Sequence, residues 1–148
     1  PVRLAIPAIG VNAAVVETGL EVVQWLNSPA LRWQTPDYAV GHRQTSARPG
    51  QPGNMILSGH NNTAGSVFLR LSELKPGDEF TVYTADFSYN YRVVASEKVL
   101  WTGAGERQIA RHYELTADTP DETLTLVSCW PYATYTHRLY VTAKPVPR

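Results

Sequence analysis

The stretch KPGDEFTVYTADFSYNYRVV, residues 75–94, decides the fold class. Pro76 and Gly77 stand in turn positions. Beyond them, Phe80 to Thr84 and Phe87 to Val94 read as two strands around a turn at Ala85-Asp86. In the second arm Phe87, Tyr89, Tyr91 and Val93 share one face, and Ser88, Asn90 and Arg92 share the other. Successive side chains of a strand point to opposite faces, so a sustained period of two marks a half-buried strand.

Strand signals continue on both sides of this hairpin. Arg3 to Ile6 is short and apolar, and Pro7 permits only an edge or strand-end position. Val11 to Val16 follows Gly10. Asn54 to Ser58 is a compact apolar run that ends at Gly59-His60, and it reads as a buried strand delivering His60 at its end. Val67 to Leu74 allows a helical turn. Thr123 to Cys129 is a strand, residues 130 to 137 are a loop, and Arg138 to Ala143 is a closing strand. Two regions read otherwise. Between residues 20 and 35, Leu20, Val23 and Leu26 have a helical rhythm, which Pro29 and Pro36 limit to a short helix. Residues 41–53, GHRQTSARPGQPG, are rich in turn formers and read as a long loop. A short helix is expected around Glu106 to Tyr113. Many short strands and turns, with no repeat or linker, predict a single all-β domain over residues 1–148, a sandwich or a barrel.

Composition narrows the function. Thirteen basic residues balance thirteen acidic ones, and there is no basic run, which argues against a nucleic-acid partner. No stretch approaches the roughly 20 apolar residues of a membrane span. The chain opens at Pro1 rather than methionine. That reads as a processed or trimmed protein, and whatever preceded Pro1, a targeting or anchoring segment included, lies outside this sequence. A single cysteine, Cys129, excludes an intrachain disulfide and any multi-cysteine zinc site. Nothing calls for a cofactor or a metal. Asp118, Asp121 and Glu122 cluster, but without the ligand spacing of a calcium loop.

Cys129 is either a small buried hydrophobe or a nucleophile. It sits at a strand end, where Trp130-Pro131 turns the chain and functional side chains reach solvent. Alternation groups it with Thr125 and Val127, opposite Leu124, Leu126 and Ser128. A thiol nucleophile needs a base, because the thiolate attacks and a free cysteine is mostly protonated at neutral pH. Of His42, His60, His112 and His137, His60 is the best placed. His42 lies in a loop, His112 in a polar connection, and His137 falls on the opposite face to its neighbour Arg138. If the strands on either side of the 130–137 loop pair, Arg138 comes close to Cys129, where a guanidinium can stabilise an oxyanion. The alternative for Arg138 is a surface ion pair.

These segments together resemble the sortases, a family of cysteine transpeptidases. TLTLVSC followed by Arg138 resembles the family's TLxTC…R signature, with Ser128 in place of the usual threonine. RLAIPAIGV resembles its opening strand, PGQPGNMILSGHNN its histidine segment, and LSELKPGDEFTVYTADFSYNYRVV its LxxLKxGD hairpin. The hairpin and the cysteine strand look most like the shorter class D, E or F enzymes. The resemblance implies a closed eight-stranded β-barrel with short helices in the connections. It assigns the catalytic roles to His60, Cys129 and Arg138.

The implied reaction cleaves an LPxTG-like sorting signal at Thr–Gly through a thioacyl-enzyme and joins the protein to a peptidoglycan or pilin amine. Ser128, Trp130, Tyr132 and Tyr135 are the candidate substrate-binding residues. For the aromatic ones the alternative is a cap on the barrel end. The implied location is the outer face of the cell membrane, held by an anchor outside this chain. A cysteine hydrolase on the same fold and a non-enzymatic β-barrel binding module are the competing functions.

Overall fold

The computed structural model describes residues 1–25, 28–61, 66–130 and 136–147, with the side chains of residues 23, 25, 28, 30, 31, 129 and 130 outside the description. The strands are β1 (Arg3–Ile6), β2 (Val11–Thr18), β3 (Leu20–Trp25), β4 (Ser28–Trp33), β5 (Val40–Arg43), β6 (Gly53–Ser58), β7 (Glu79–Tyr83), β8 (Ser88–Leu100), β9 (Glu122–Trp130) and β10 (His137–Pro145). One α-helix, α1 (Glu106–Thr116), and two 3-10 turns, Pro7–Ile9 and Leu71–Glu73, complete the described elements.

Eight of these strands close into a barrel in the order β1-β2-β5-β6-β9-β10-β8-β7, with β7 pairing back onto β1. This is the closed eight-stranded barrel that the sortase resemblance implies. Two neighbouring pairs, β2 with β5 and β6 with β9, are parallel; the remaining barrel pairs are antiparallel.

The period of two explains the interior. Leu4 and Ile6, Met55 and Leu57, Phe80 and Val82, Tyr91 and Val93, Leu124 and Leu126, and Leu139 and Val141 alternate inward from six strands into one cluster, each at most 2% exposed. Burying a side chain of this size contributes about 1.5–3 kcal/mol.

A second, smaller cluster lies outside the barrel wall, where Ile56, Val99, Val127 and Tyr140 pack with Leu115 of α1. Val99 reaches that face because of an irregularity in β8. The β8–β10 register shifts between Thr142 and Ala143, which pair with Ala95 and Val93. The extra residue, Val94, inverts the alternation beyond it. Before the bulge Tyr91 and Val93 point into the barrel; after it Val99 points outward.

The same bulge corrects the expected end of this strand. Alternation stops at Val94, yet β8 continues to Leu100. Two other readings change. Residues 20–25 and 28–33 pair as the antiparallel strands β3 and β4 rather than forming a short helix, from Leu20↔Trp33 to Trp25↔Ser28, and Leu26 lies outside the described residues. Val22 and Leu20 are exposed, so the apolar spacing there does not mark a buried helix face. Pro29 is accommodated because the pair is a separate two-stranded sheet, all edge. Residues 40–43 are a strand, not a loop. Gly41 is needed there, since a Cβ would come within 2.7 Å of Pro36 and 2.8 Å of Thr18.

α1 is held to the outer wall by Arg111. Its guanidinium donates two 2.7 Å hydrogen bonds to the Glu97 carboxylate on β8. That contact holds the Glu97 carboxyl below its usual range.

Candidate active site

Parallel neighbours leave a sheet at the same end, and β6 and β9 do so side by side. Their register runs to Ser58↔Val127. Just beyond it, the Gly59 N–H donates to the Val127 carbonyl at 3.2 Å. The Ser128 hydroxyl then donates to the Gly59 carbonyl at 2.9 Å. One residue further on each chain stand His60 and Cys129. β10 returns antiparallel on the other side of β9 and pairs Arg138 with Cys129. The three positions therefore lie in a row across β6, β9 and β10 at one barrel end.

His60 is partly exposed, and its Nε2 lies 3.7 Å from Asp37 Oδ1. Its carbonyl accepts the Phe68 N–H at 2.8 Å. Gly59 lets that packing happen: a Cβ there would meet Val67 at 2.7 Å and Phe68 at 2.9 Å. Asp37 was not singled out from sequence. It lies in the connection ahead of β5, and only the fold brings it to the histidine. Among the described residues, the non-glycine positions with left-handed backbone are Tyr38 (φ 59°) and Ser66 (φ 47°). Both adjoin segments that meet His60, and strained backbone of this kind concentrates at functional sites.

Arg138 carries its guanidinium over the Trp101 ring, with Cζ 4.3 Å from the centroid. A second arginine, Arg43, lies with Cζ 5.4 Å from the centroid of Trp33. Its Nε is buried and has no hydrogen-bond partner among the described residues. Burial pulls the Arg43 guanidinium below its usual value; nearby Tyr140 opposes this and nearby Arg138 adds to it.

The other histidines are engaged elsewhere. His42 is fully buried, with Nδ1 2.7 Å from Glu17 Oε2 and Nε2 2.9 Å from the Ala47 carbonyl. His112 is buried between the Tyr140 hydroxyl at Nδ1 and the Leu100 carbonyl, 2.8 Å from Nε2. His137 Nδ1 lies 2.8 Å from the Thr136 hydroxyl.

Of the candidate substrate-binding residues, Ser128 is 5% exposed, and its hydroxyl is bonded to the chain segment that leads into His60. Trp130 ends β9 and pairs with His137. Tyr132 and Tyr135 lie outside the described residues.

The acidic cluster noted in the sequence serves the framework. Asp118 accepts the Asn54 N–H at 3.2 Å, and Glu122 accepts the Tyr91 hydroxyl at 2.8 Å and the Gly50 N–H at 3.2 Å. Among the described residues no group of three or more His, Cys, Asp or Glu is arranged to hold a metal ion.

The sortase-domain family model matches residues 4–146. The chain belongs to the sortase family. It is 30% identical over 94 residues to Sortase D of Bacillus subtilis (strain 168), an alignment covering 64% of this chain and 42% of that protein. It is 28% identical over 109 residues to Sortase SrtE1 of Streptomyces coelicolor, covering 74% of this chain and 31% of that protein. The chain thus spans less than half the length of either curated relative. Among solved structures, the lid mutant of sortase A from Corynebacterium diphtheriae superposes with a TM-score of 0.75 at 26% identity, covering 100% of this chain and 72% of that one. In this sortase no described helix is long and apolar enough to cross a membrane.

Proposed function

We propose that this chain is the catalytic part of a cysteine transpeptidase that cleaves an LPxTG-like sorting signal at Thr–Gly and joins the released acyl group to a cell-wall or pilin amine. The observation that carries this reading is the row His60, Cys129, Arg138 on the adjoining ends of β6, β9 and β10. On this reading the row supplies a base, a nucleophile and a cation at one rim of the barrel, and membership of the sortase family supports it.

The roles follow from the residue types. The Cys129 thiolate attacks the threonine carbonyl carbon, and the carbonyl electron pair moves onto oxygen. Arg138 stabilises that oxyanion or holds the substrate backbone beside it. As the oxyanion collapses, the C–N bond breaks. His60 gives its proton to the departing glycine amine, leaving a thioester on Cys129. An incoming amine attacks the thioester, His60 takes the amine's proton, and a new amide forms as the thiolate departs. The reading also places the enzyme on the outer face of the cell membrane, held by a segment outside this chain.

The test is a mixture of an LPxTG-type peptide and an amine nucleophile. The amide product should grow with amine concentration at the expense of the free acid. Hydrolysis alone, at every amine concentration, would remove the transpeptidase and leave a cysteine hydrolase. No turnover with any peptide of a sorting-signal library would favour a binding module.

A further inference from the structure

We propose that Trp101 is a positioning residue for Arg138, and that buried His112 of α1 holds Trp101 in place. The proposal rests on the role given above to Arg138.

Arg138 has a long side chain with many rotamers. A guanidinium that is to meet a developing oxyanion must be held before the charge appears. The structure shows what holds it. Trp101 follows directly on the end of β8, and its N–H donates to the Thr136 carbonyl at 2.8 Å. This tie connects the end of β8 to the start of β10. Across the same pair Arg138 stands opposite Val99. Side chains opposite one another share a face, and Trp101 is two residues beyond Val99. The bulge at Val94 puts this stretch on the outer face, so the indole and the guanidinium meet there, with Cζ 4.3 Å from the ring centroid. The face of an indole attracts a cation, and tryptophan does this best among the aromatic residues.

Trp101 is about half exposed and would not hold a position unaided. Its ring packs edge-on against His112, with centroids 5.2 Å apart and planes at 87°. His112 is 8% exposed. Its two ring nitrogens face the Tyr140 hydroxyl and the Leu100 carbonyl, so its plane is set from both sides. Tyr140 lies on β10, two residues past Arg138. The contacts therefore close a ring: Arg138 to Trp101, Trp101 to His112, His112 to Tyr140, and along β10 back to Arg138. α1 supplies the one member that does not come from the barrel wall or from its immediate extension at Trp101, and the Glu97–Arg111 pair keeps α1 there.

Three variants test this by the single-turnover rate of acyl-enzyme formation. Trp101→Leu keeps apolar bulk and loses the π face; Trp101→Phe keeps a π face; Arg138→Ala removes the partner. Trp101→Leu should slow acylation by about three- to thirty-fold, the range a cation–π contact supports. The apparent affinity for peptide should change much less, and Trp101→Phe should recover most of the rate. In an Arg138→Ala background Trp101→Leu should add nothing.

An activity-free readout accompanies these. Protons over an aromatic face are shifted upfield. The Arg138 Nε–H resonance, assigned by its loss in Arg138→Lys, should therefore move downfield in Trp101→Leu. If Arg138→Ala acylates at the wild-type rate, the role given to Arg138 fails. If Arg138→Ala is slow while Trp101→Leu acylates normally, or if Trp101→Leu slows both backgrounds equally, the positioning role of Trp101 is overturned. An Arg138 resonance that does not respond to Trp101→Leu overturns it as well.

Discussion

The bond from the Ser128 hydroxyl to the Gly59 carbonyl is short in reach and wide in consequence. It joins the residue before Cys129 to the residue before His60. Ser128→Ala removes the donor and leaves the carbonyl of a buried glycine without it. A net hydrogen bond is worth about 0.5–1.5 kcal/mol, and a stranded buried acceptor costs about 1–3 kcal/mol. Water cannot easily substitute at a residue only 5% exposed. A loss of about 1–2 kcal/mol in unfolding free energy is therefore expected. For a chain of this length that lowers Tm by about 2–8 °C.

The catalytic consequence should exceed the thermodynamic one. The register that sets Cys129 beside His60 loses its last side-chain tie, and a displacement of the order of 1 Å can cost about a hundredfold in rate. Urea unfolding and peptide transpeptidation, run on wild type, Ser128→Ala and Ser128→Thr, check both. Threonine keeps the hydroxyl and should retain most of the activity. Suppose Ser128→Ala lost less than about 0.5 kcal/mol, the range of ordinary surface changes, and turned over like wild type. The idea that this bond aligns the two strands would then be refuted.

Three further predictions concern the framework. Arg111→Met should destabilise by about 0.5–1 kcal/mol, as expected for a well-formed but exposed ion pair. Arg111 holds the Glu97 carboxyl below its usual range, so that contribution is complete above the ordinary glutamate pKa and disappears as pH falls through the lowered value. The wild-type minus Arg111→Met difference in unfolding free energy should accordingly be constant near neutrality and shrink in acid; a difference that grew with acidity would reverse the sign. Arg43→Met should stabilise by about 1 kcal/mol, because it removes a buried Nε that has no hydrogen-bond partner among the described residues, and a lower Tm would show that the guanidinium is compensated in another way. Gly59→Ala should lose more stability and activity than Gly19→Ala, since a Cβ at residue 59 meets Val67 at 2.7 Å and Phe68 at 2.9 Å whereas one at residue 19 meets the end of the flexible Gln44 side chain at 3.1 Å; equal effects in thermal melts and turnover would contradict the close approach at His60.

Legibility in the sequence followed physical regularity. β7, the first half of β8, β9 and β10 were readable because alternation or a dense apolar run marks each. β6 was readable although every residue in it is buried, because Gly59 bounds the run. The placement of His60, Cys129 and Arg138 near strand ends was readable too, since each stands within two residues of the end of such a strand.

What could not be read arose where a local signal was broken or ambiguous. The Val94 bulge hid the second half of β8 and, with it, the outward turn of Val99 and Trp101. Leu20, Val23 and Leu26 have helical spacing, but residues 20–25 pair with 28–33 as antiparallel strands whose described apolar side chains at 20 and 22 face solvent. β5 is only four residues long, and Gly41 and His42 disguise it as loop. Asp37 and Trp101 carry no signal of their own. Each matters by its neighbour, and the neighbour is set by barrel closure.

The most direct measurement of the central claim is intact-protein and peptide-level mass spectrometry after mixing the protein with an LPxTG-type sorting peptide. The account predicts a thioester adduct carrying the peptide up to its threonine, located on Cys129. Adding an amine should discharge it into an amide product, and Cys129→Ala should form none. A covalent adduct on a different residue, or turnover that survives Cys129→Ala, would contradict the account.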